Sequence, residues 1–240
     1  MADPAITFDH RPSHSARSAL LLLADGRLPA GGHAHSGGLE AAAALEGVRD
    51  PATLESFLRG RAATAGMVAG AFAAASCAAF EHRGVSNLVQ LDTELNARIP
   101  SPTLRAVSRR LGRNMLRTGR AIWPHPGLDD VAADLDRSPH HPVALGAVAA
   151  AAGLSPDEVA AAAMHDAVAG PATAAVRLLG LDPLAVHAIL GKLGAELDAL
   201  AANAAAMCDR PAPQLPAFSS PVLDLLSEAH ATWEVRLFAS

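Results

Sequence analysis

The sequence predicts an all-α fold, a single-domain multi-helix bundle of about ten helices that are rich in Ala and Leu. Half of the 240 residues are hydrophobic, yet only 3% are aromatic and there is no Tyr. Most of the apolar content is Ala and Leu, which are strong helix formers, while the β-branched and aromatic residues that favour strands are scarce. No strand-like alternation of apolar and polar residues competes with this pattern.

A small capping residue followed by proline recurs along the chain and marks expected helix starts. Ser and Asp accept hydrogen bonds from the free N–H groups of a first turn, and proline suits the first helical position because it has no N–H to satisfy. Ser138-Pro139 fits least well, because Pro142 follows so closely. The pairs are Asp50-Pro51, Ser101-Pro102, Ser138-Pro139, Ser155-Pro156, Asp182-Pro183 and Ser220-Pro221. We expect helices over 17–25, 37–46, 51–82, 85–98, 102–120, 128–136, 142–153, 156–169, 171–180, 183–208 and 221–234.

The chain has no long low-complexity linker and no repeat of fixed period, so it is expected to form one all-α domain over 17–240. Residues 1–16 are polar and are predicted to be a flexible N-terminal segment. Residues 62–80 carry no charge and approach the length of a membrane span. They are mostly Ala and Gly, however, and are interpreted as a buried core helix. We therefore expect a soluble, cytoplasmic protein with no membrane partner.

Charge and cysteine usage exclude further classes of function. The formal net charge of −5 and the pI of about 6.1 argue against nucleic-acid binding. Cys77 and Cys208 are far apart in Ala-rich surroundings, as expected of buried reduced thiols, and no Cys/His spacing indicates a zinc site.

Two predicted helices carry informative patterns. In 102–120, apolar residues from Leu104 to Ile122 fall on one side, and arginines fall on the other with no Asp or Glu between Leu95 and Gly127. This basic side is either a solvated face or a docking surface for an acidic partner. The arginines are Arg105, Arg109, Arg110, Arg113, Arg117 and Arg120. The helix over 183–208 has a Leu stripe and is long enough to be a central helix or a dimer element.

A glycine-rich segment, Leu28 to Glu40, follows the first predicted helix and runs into the start of the second. It has no GxxxxGK[ST] pattern, no Lys and no preceding strand, so it is not a phosphate loop. Gly31-Gly32 permits a turn with positive φ after Pro29, and Ser36 can cap a helix that begins near Gly37, with Glu40 near its positive end. Gly37-Gly38 lowers helix propensity there, a cost that suggests close approach of another backbone. The segment is interpreted as a contact surface.

The histidines and the C-terminal residues raise two more possibilities. His33 and His35 have no Cys or carboxylate at ligand spacing, and no catalytic acid–base–nucleophile set is recognisable. A transient metal contact at these two histidines remains an alternative. At the C-terminus, Leu237 and Phe238 follow an amphipathic helix, and this apolar tail either enters a partner groove or folds back onto the core.

The motifs at both ends together resemble the UreF family of urease accessory proteins. Leu28-Pro29-Ala30-Gly31-Gly32 and Ser36-Gly37-Gly38-Leu39-Glu40 resemble the family's start, and the final Arg236-Leu237-Phe238-Ala239-Ser240 resembles its Arg-Leu-Phe-x-Ser ending. The two motifs occur in the right order and at the right total length. Two departures stand out: His35 occupies a position where Tyr is common, and Ala239 one where Arg is common.

The resemblance implies a non-enzymatic, homodimeric scaffold that bridges UreD (also called UreH) and the nickel-carrying GTPase UreG, controls that GTPase and serves nickel insertion into apo-urease. Nickel would be handled by the complex, with no tightly bound cofactor. The alternative is a nickel-binding metallochaperone that uses His33 and His35. Carried over position by position, the partner-binding residues would be Pro29, Gly31, Gly32, His33, His35, Ser36, Gly37, Gly38, Glu40, Arg236, Leu237 and Phe238.

Overall fold

The computed structural model describes residues 16–82, 84–136 and 138–239, and these residues form helices and helical turns without a β-strand. The all-α prediction is confirmed. The predicted flexible segment, apart from residue 16, lies outside the described residues. The helices are α1 (Ala16–Ala24), α2 (Leu39–Leu45), α3 (Pro51–Arg61), α4 (Met67–His82), α5 (Val85–Ala97), α6 (Pro102–Ile122), α7 (Pro126–Asp134), α8 (His141–Ala151), α9 (Pro156–Leu179), α10 (Pro183–Ala205) and α11 (Pro221–Ala231).

The proline-marked starts are largely as expected. The side chains of Asp50, Ser101, Ser155 and Asp182 each accept a backbone N–H in the first turn of the following helix. Pro221 also begins a helix, although the Ser220 hydroxyl pairs with Thr64 rather than capping it. Ser138-Pro139 does not begin a helix, since α8 starts at His141.

Helices α4 and α8 pack against each other at the centre of the protein. Helix α9 covers α4 on one side, and α6 covers α8 on the other. A Cβ atom at Gly146 would lie 2.3 Å from the carbonyl oxygen of Ala73, so the small residue permits the close approach of α8 to α4. Helix α10 packs along α9 and α4 with its outer side exposed, so the central position belongs to α4 instead.

Most predicted helix ends are shifted by about one to three residues, and two predicted helices differ in their continuity. The expected helix 51–82 contains a π-helical turn, Ala62–Gly66, between α3 and α4. The expected break before Pro171 is wrong, because α9 runs through this proline. Proline removes the N–H that would bond the carbonyl of Ala167, and the Nε atom of Arg61 donates to this carbonyl at 2.8 Å instead.

The uncharged segment 62–80 lies in the core. The helical run Pro51–Phe80 is long and apolar enough to cross a membrane, but 72% of its most apolar window is buried inside the structure. The helices around it supply the apolar surroundings that a bilayer would otherwise provide. This arrangement agrees with the interpretation of a buried core helix.

Candidate partner-docking site

The glycine-rich loop is a series of left-handed turns that ends where α2 begins. Gly31, Gly37 and Gly38 have φ values of 90°, 62° and 90°, which side chains other than Gly rarely adopt. The helix therefore begins at Leu39, two residues later than predicted. The hydroxyl of the buried Ser36 accepts the N–H of Glu40 at 3.2 Å, as expected of a residue that satisfies the start of a helix.

The loop is fixed against helices from the middle of the chain. The Pro29 carbonyl accepts a hydrogen bond from the Thr118 hydroxyl at 3.0 Å, and Gly31 packs against Asn114 of α6. A Cβ atom at Gly37 would lie 2.9 Å from Cγ of Pro171. Gly32 opens the 3₁₀ turn Gly32–Ala34. The neighbours of Gly37 and Gly38 are thus side chains of the protein itself and not the second backbone that the sequence suggested.

The C-terminal tail contacts the same loop, so the two ends of the chain form one surface. The N–H of Ala239 donates to the Ala34 carbonyl at 2.8 Å, and the N–H groups of Leu237 and Phe238 donate to the Glu40 carboxylate at 2.8 and 3.0 Å. Phe238 is buried, with the Arg177 guanidinium 5.2 Å from its ring centroid.

Two arrangements were expected for the tail, insertion into a partner groove or folding back onto the core. Phe238 folds back onto the core. Arg236 and Leu237 remain exposed beside it, and 54% of Leu237 is accessible to solvent. The tail therefore combines a buried anchor with an outward apolar side chain. Only the outward residues of the tail are free to meet another protein.

Glu40 has a larger role than its position in the sequence suggests. Besides the hydrogen bonds from the two tail amides, its carboxylate makes a hydrogen bond of 2.9 Å with Nε2 of His230 from α11. Burial works against ionisation of this carboxylate, but the Leu237 and Phe238 amides and His230 outweigh it, so the pKa of Glu40 is lowered. The sequence indicated an acid near a helix start, and His230 gave no separate signal.

The arginine side of α6 is partly used inside the protein. Arg109 pairs with the buried Asp92 at 3.0 Å, and Arg120 pairs with Asp129. Arg105 donates to the carbonyls of Ile99 and Pro100. No carboxylate lies nearby in the sequence, but carboxylates from α5 and α7 reach this side in the folded chain. The predicted apolar side also ends differently, since Ile122 is exposed and Trp123 is buried.

Three exposed arginines of α6 remain on its outer side, next to the loop. Arg110 contacts His35, with its Nη2 atom 3.3 Å from the imidazole Nε2, and Arg113 donates to the Ser138 hydroxyl. Arg117 is exposed on the following turn. This basic ridge, Arg110, Arg113 and Arg117, adjoins the loop through His35. Arg105 and Arg109 instead bind backbone and side chains within the fold.

His33 and His35 line a cavity of about 520 Å³ beneath the loop, together with His141, His165 and Asp166. Burial, with the nearby Arg110, lowers the pKa of His35 to about 4, so its imidazole is neutral near pH 7. A neutral ring can accept the Arg110 hydrogen bond. Among the described residues, no group of three or more His, Cys, Asp or Glu side chains is arranged to hold a metal ion.

Comparison with known proteins agrees with the resemblance to the UreF family. A family model described as UreF matches residues 48–194. The chain is 44% identical to the urease accessory protein UreF of Mycobacterium sp. (strain JLS) over 223 residues, which cover 93% of this chain and 98% of that protein.

Two further relatives carry the same name. The identity is 41% over 229 residues to the protein of Mycolicibacterium vanbaalenii, covering 94% of this chain and 100% of the relative. It is 39% over 223 residues to that of Mycobacterium tuberculosis (strain H37Rv), covering 93% and 98%. With the family model matching more than half of the chain, these relationships establish that the chain belongs to the urease accessory protein UreF family.

Proposed function

We propose that this chain is a non-enzymatic scaffold of urease maturation that bridges UreD (UreH) and the GTPase UreG, acts as a cytoplasmic homodimer and promotes nickel insertion into apo-urease. The observation that carries the proposal is the joining of two distant motifs. The glycine-rich loop and the C-terminal tail meet through Glu40 and Ala34, and together they present one outward surface.

The chemistry of this surface supports binding rather than catalysis. Backbone turns, an exposed apolar side chain and a ridge of exposed arginines provide contacts. Family membership agrees with an accessory role. Nickel is cargo of the assembly in this proposal, and the chain itself holds no tightly bound cofactor.

Two parts of the surface are suited to different partner chemistries. The exposed Leu237 suits an apolar groove, and the basic ridge suits an acidic segment of a partner. The partner-binding role of Gly31, Gly32, Gly37 and Gly38 is to shape the loop rather than to make contacts through side chains. Arg236, exposed on the tail, adds a cation at the edge of the apolar contact.

Co-expression with UreD and UreG tests the proposal. We expect a complex to co-purify with the full chain and to be weakened by deletion of Leu237 to Ser240. A Leu237→Ala variant separates the exposed contact from the buried Phe238 anchor, since it leaves the core unchanged. Failure of the full chain to form a complex with folded partners would contradict the scaffold function.

His33 and His35 line the same cavity. The metallochaperone alternative can therefore be tested at these two residues, separately from the scaffold function. Nickel titration by calorimetry should show tight stoichiometric binding that disappears in the His33→Ala/His35→Ala variant if this alternative holds. The Arg110–His35 contact opposes it, since a metal at Nε2 of His35 would displace that hydrogen bond. The scaffold proposal predicts no stoichiometric binding at these residues.

A further inference from the structure

The Glu40 carboxylate joins three separate segments of the chain. One oxygen accepts the N–H of Leu237, and the other accepts both the N–H of Phe238 and Nε2 of His230. Only 11% of the Glu40 side chain is exposed. A carboxylate can accept several hydrogen bonds at once, which a neutral amide of the same shape cannot reproduce, since half of its polar atoms are donors.

These bonds fix the tail at the point where its side chains diverge. Phe238 points into the core and is 6% exposed, whereas the preceding Leu237 points outward. The chain bends at Leu237 and Phe238, and both of their N–H groups point to the Glu40 carboxylate, so holding both amides sets which side chain is buried and which is displayed. Val235, which is 88% exposed, lies on the same outward stretch.

Few other bonds hold the backbone of the tail. Among the described residues after Trp233, three backbone N–H groups donate hydrogen bonds. Those of Leu237 and Phe238 donate to the Glu40 carboxylate, and that of Ala239 donates to the Ala34 carbonyl. The Phe238 ring adds burial and its contact with Arg177. Without Glu40, the amides of Leu237 and Phe238 would lose their acceptor while the ring kept its pocket.

We propose that Glu40 is a positioning residue for partner docking, which holds the tail in the one arrangement that displays Leu237 and Val235 beside the glycine-rich loop. The inference rests on the proposed function, in which the tail contacts a partner. A partner with an apolar groove then meets an ordered segment. Because the entropy of ordering the tail is lost before binding, the complex is tighter than one formed with a mobile tail.

A purely local role for Glu40 is the competing explanation. An acid in the first turn of a helix stabilises that helix through its dipole, and Glu40 lies in the first turn of α2. A local role would not depend on the tail, and Asp would fulfil it equally well. Glu40→Asp keeps the negative charge, but its side chain is one methylene shorter, so the carboxylate no longer reaches the tail amides.

Hydrogen exchange tests the hold on the tail directly. We expect the amides of Leu237 and Phe238 to exchange at least about tenfold faster in both Glu40→Gln and Glu40→Asp than in the unmodified chain, because both variants lose acceptors. Glu46→Gln, at the exposed end of the same helix, is the matched control and should leave this exchange unchanged. Unchanged exchange in Glu40→Gln overturns the inference.

Binding to UreD and UreG tests the consequence. Glu40→Gln should weaken the complex by about tenfold, and it should cause no further loss in a chain that lacks Leu237 to Ser240. Equal weakening with and without the tail would mean that Glu40 acts elsewhere, and would overturn the positioning role. If the unmodified chain forms no complex, the proposed function has failed. If the unmodified chain and Glu40→Gln bind equally well, the proposed function stands and only this inference has failed.

Discussion

The Nε atom of Arg61 donates a hydrogen bond of 2.8 Å to the carbonyl oxygen of Ala167. Ala167 lies four residues before Pro171, so its carbonyl is the one that the proline leaves without a helical N–H partner. Arg61 supplies this donor from α3. The ideal Cβ position of Gly37 is 3.1 Å from the Cζ atom of Arg61, so the glycine-rich loop lies directly on this contact.

Replacing Arg61 should therefore destabilise the protein. Arg61→Met keeps much of the apolar stem but leaves the Ala167 carbonyl without a donor, and we expect the free energy of unfolding to fall by about 1–3 kcal/mol. Urea denaturation followed by far-UV circular dichroism measures this loss. Arg59→Met, on an exposed ion pair of the same helix, should change stability by less than about 1 kcal/mol.

Pro171→Ala tests whether the proline is the reason that Arg61 is needed. Alanine restores the N–H at residue 171, which can bond the Ala167 carbonyl within α9. Arg61→Met should then cost less in the Pro171→Ala background than in the unmodified chain. An equal cost in both backgrounds would show that Arg61 stabilises the protein through some other contact.

Gly37 should tolerate no side chain, for two separable reasons. Its φ of 62° is unfavourable for Ala, and a Cβ atom would overlap Pro171 and Arg61. Gly47 has a φ of 75° but open space around it. We expect Gly47→Ala to lower the free energy of unfolding by about 1–2 kcal/mol, and Gly37→Ala by about 1–3 kcal/mol more. Similar losses in the two variants, measured by thermal and urea unfolding, would contradict the tight contact.

The sequence predicts those features whose causes are local. Asp50 and Ser155 cap helices within three residues of themselves, so their helix starts are readable from the sequence. The continuity of α9 through Pro171 cannot be read from the local sequence, because the donor that replaces the missing N–H belongs to Arg61, 106 residues away.

The candidate site follows the same rule. The positive φ of Gly31 agrees with the turn expected at Gly31-Gly32, whereas Gly37 and Gly38 are left-handed although they were placed in a predicted helix. The tail contact depends on Glu40 and Leu237, which are 197 residues apart. The carboxylate that neutralises Arg109 likewise comes from another helix, since Asp92 belongs to α5. Both ends of the chain were recognised as motifs, but their contact is a property of the fold.

His140 should make the stability of the protein depend on pH. It is fully buried, and burial, opposed by Asp92, lowers its pKa to about 4 from an ordinary value of 6.5. Between these values the unfolded chain binds a proton that the folded chain does not, so the free energy of unfolding falls as the pH drops from 6.5 towards 4. His35, whose pKa is also lowered to about 4, adds to the loss in the same window.

A pH series of urea denaturation measures this dependence. His140→Gln removes one titrating group, so its free energy of unfolding should fall less steeply between pH 6.5 and 4. The slope is the relevant quantity, because the substitution also changes the stability at neutral pH. Parallel curves for the two proteins would mean that His140 does not take up its proton on unfolding in this range.

The two groups of arginines on α6 should respond differently to substitution. Arg113 and Arg117 are exposed, so Arg113→Glu/Arg117→Glu should change the free energy of unfolding by less than about 1 kcal/mol while weakening the complex with UreD and UreG. Arg109→Met should instead lower stability by about 1–3 kcal/mol, because it leaves the buried Asp92 without its cation.

Salt dependence separates a docking surface from a merely solvated face. If the basic ridge binds an acidic partner, raising the ionic strength weakens the complex of the unmodified chain, and the charge-reversed chain shows a smaller dependence. Surface plasmon resonance over a range of salt concentrations measures both. Unchanged affinity and salt dependence in Arg113→Glu/Arg117→Glu would mean that the ridge is only a solvated face. A surface that contributes to binding cannot have its charge reversed without a change in the electrostatic free energy of the complex.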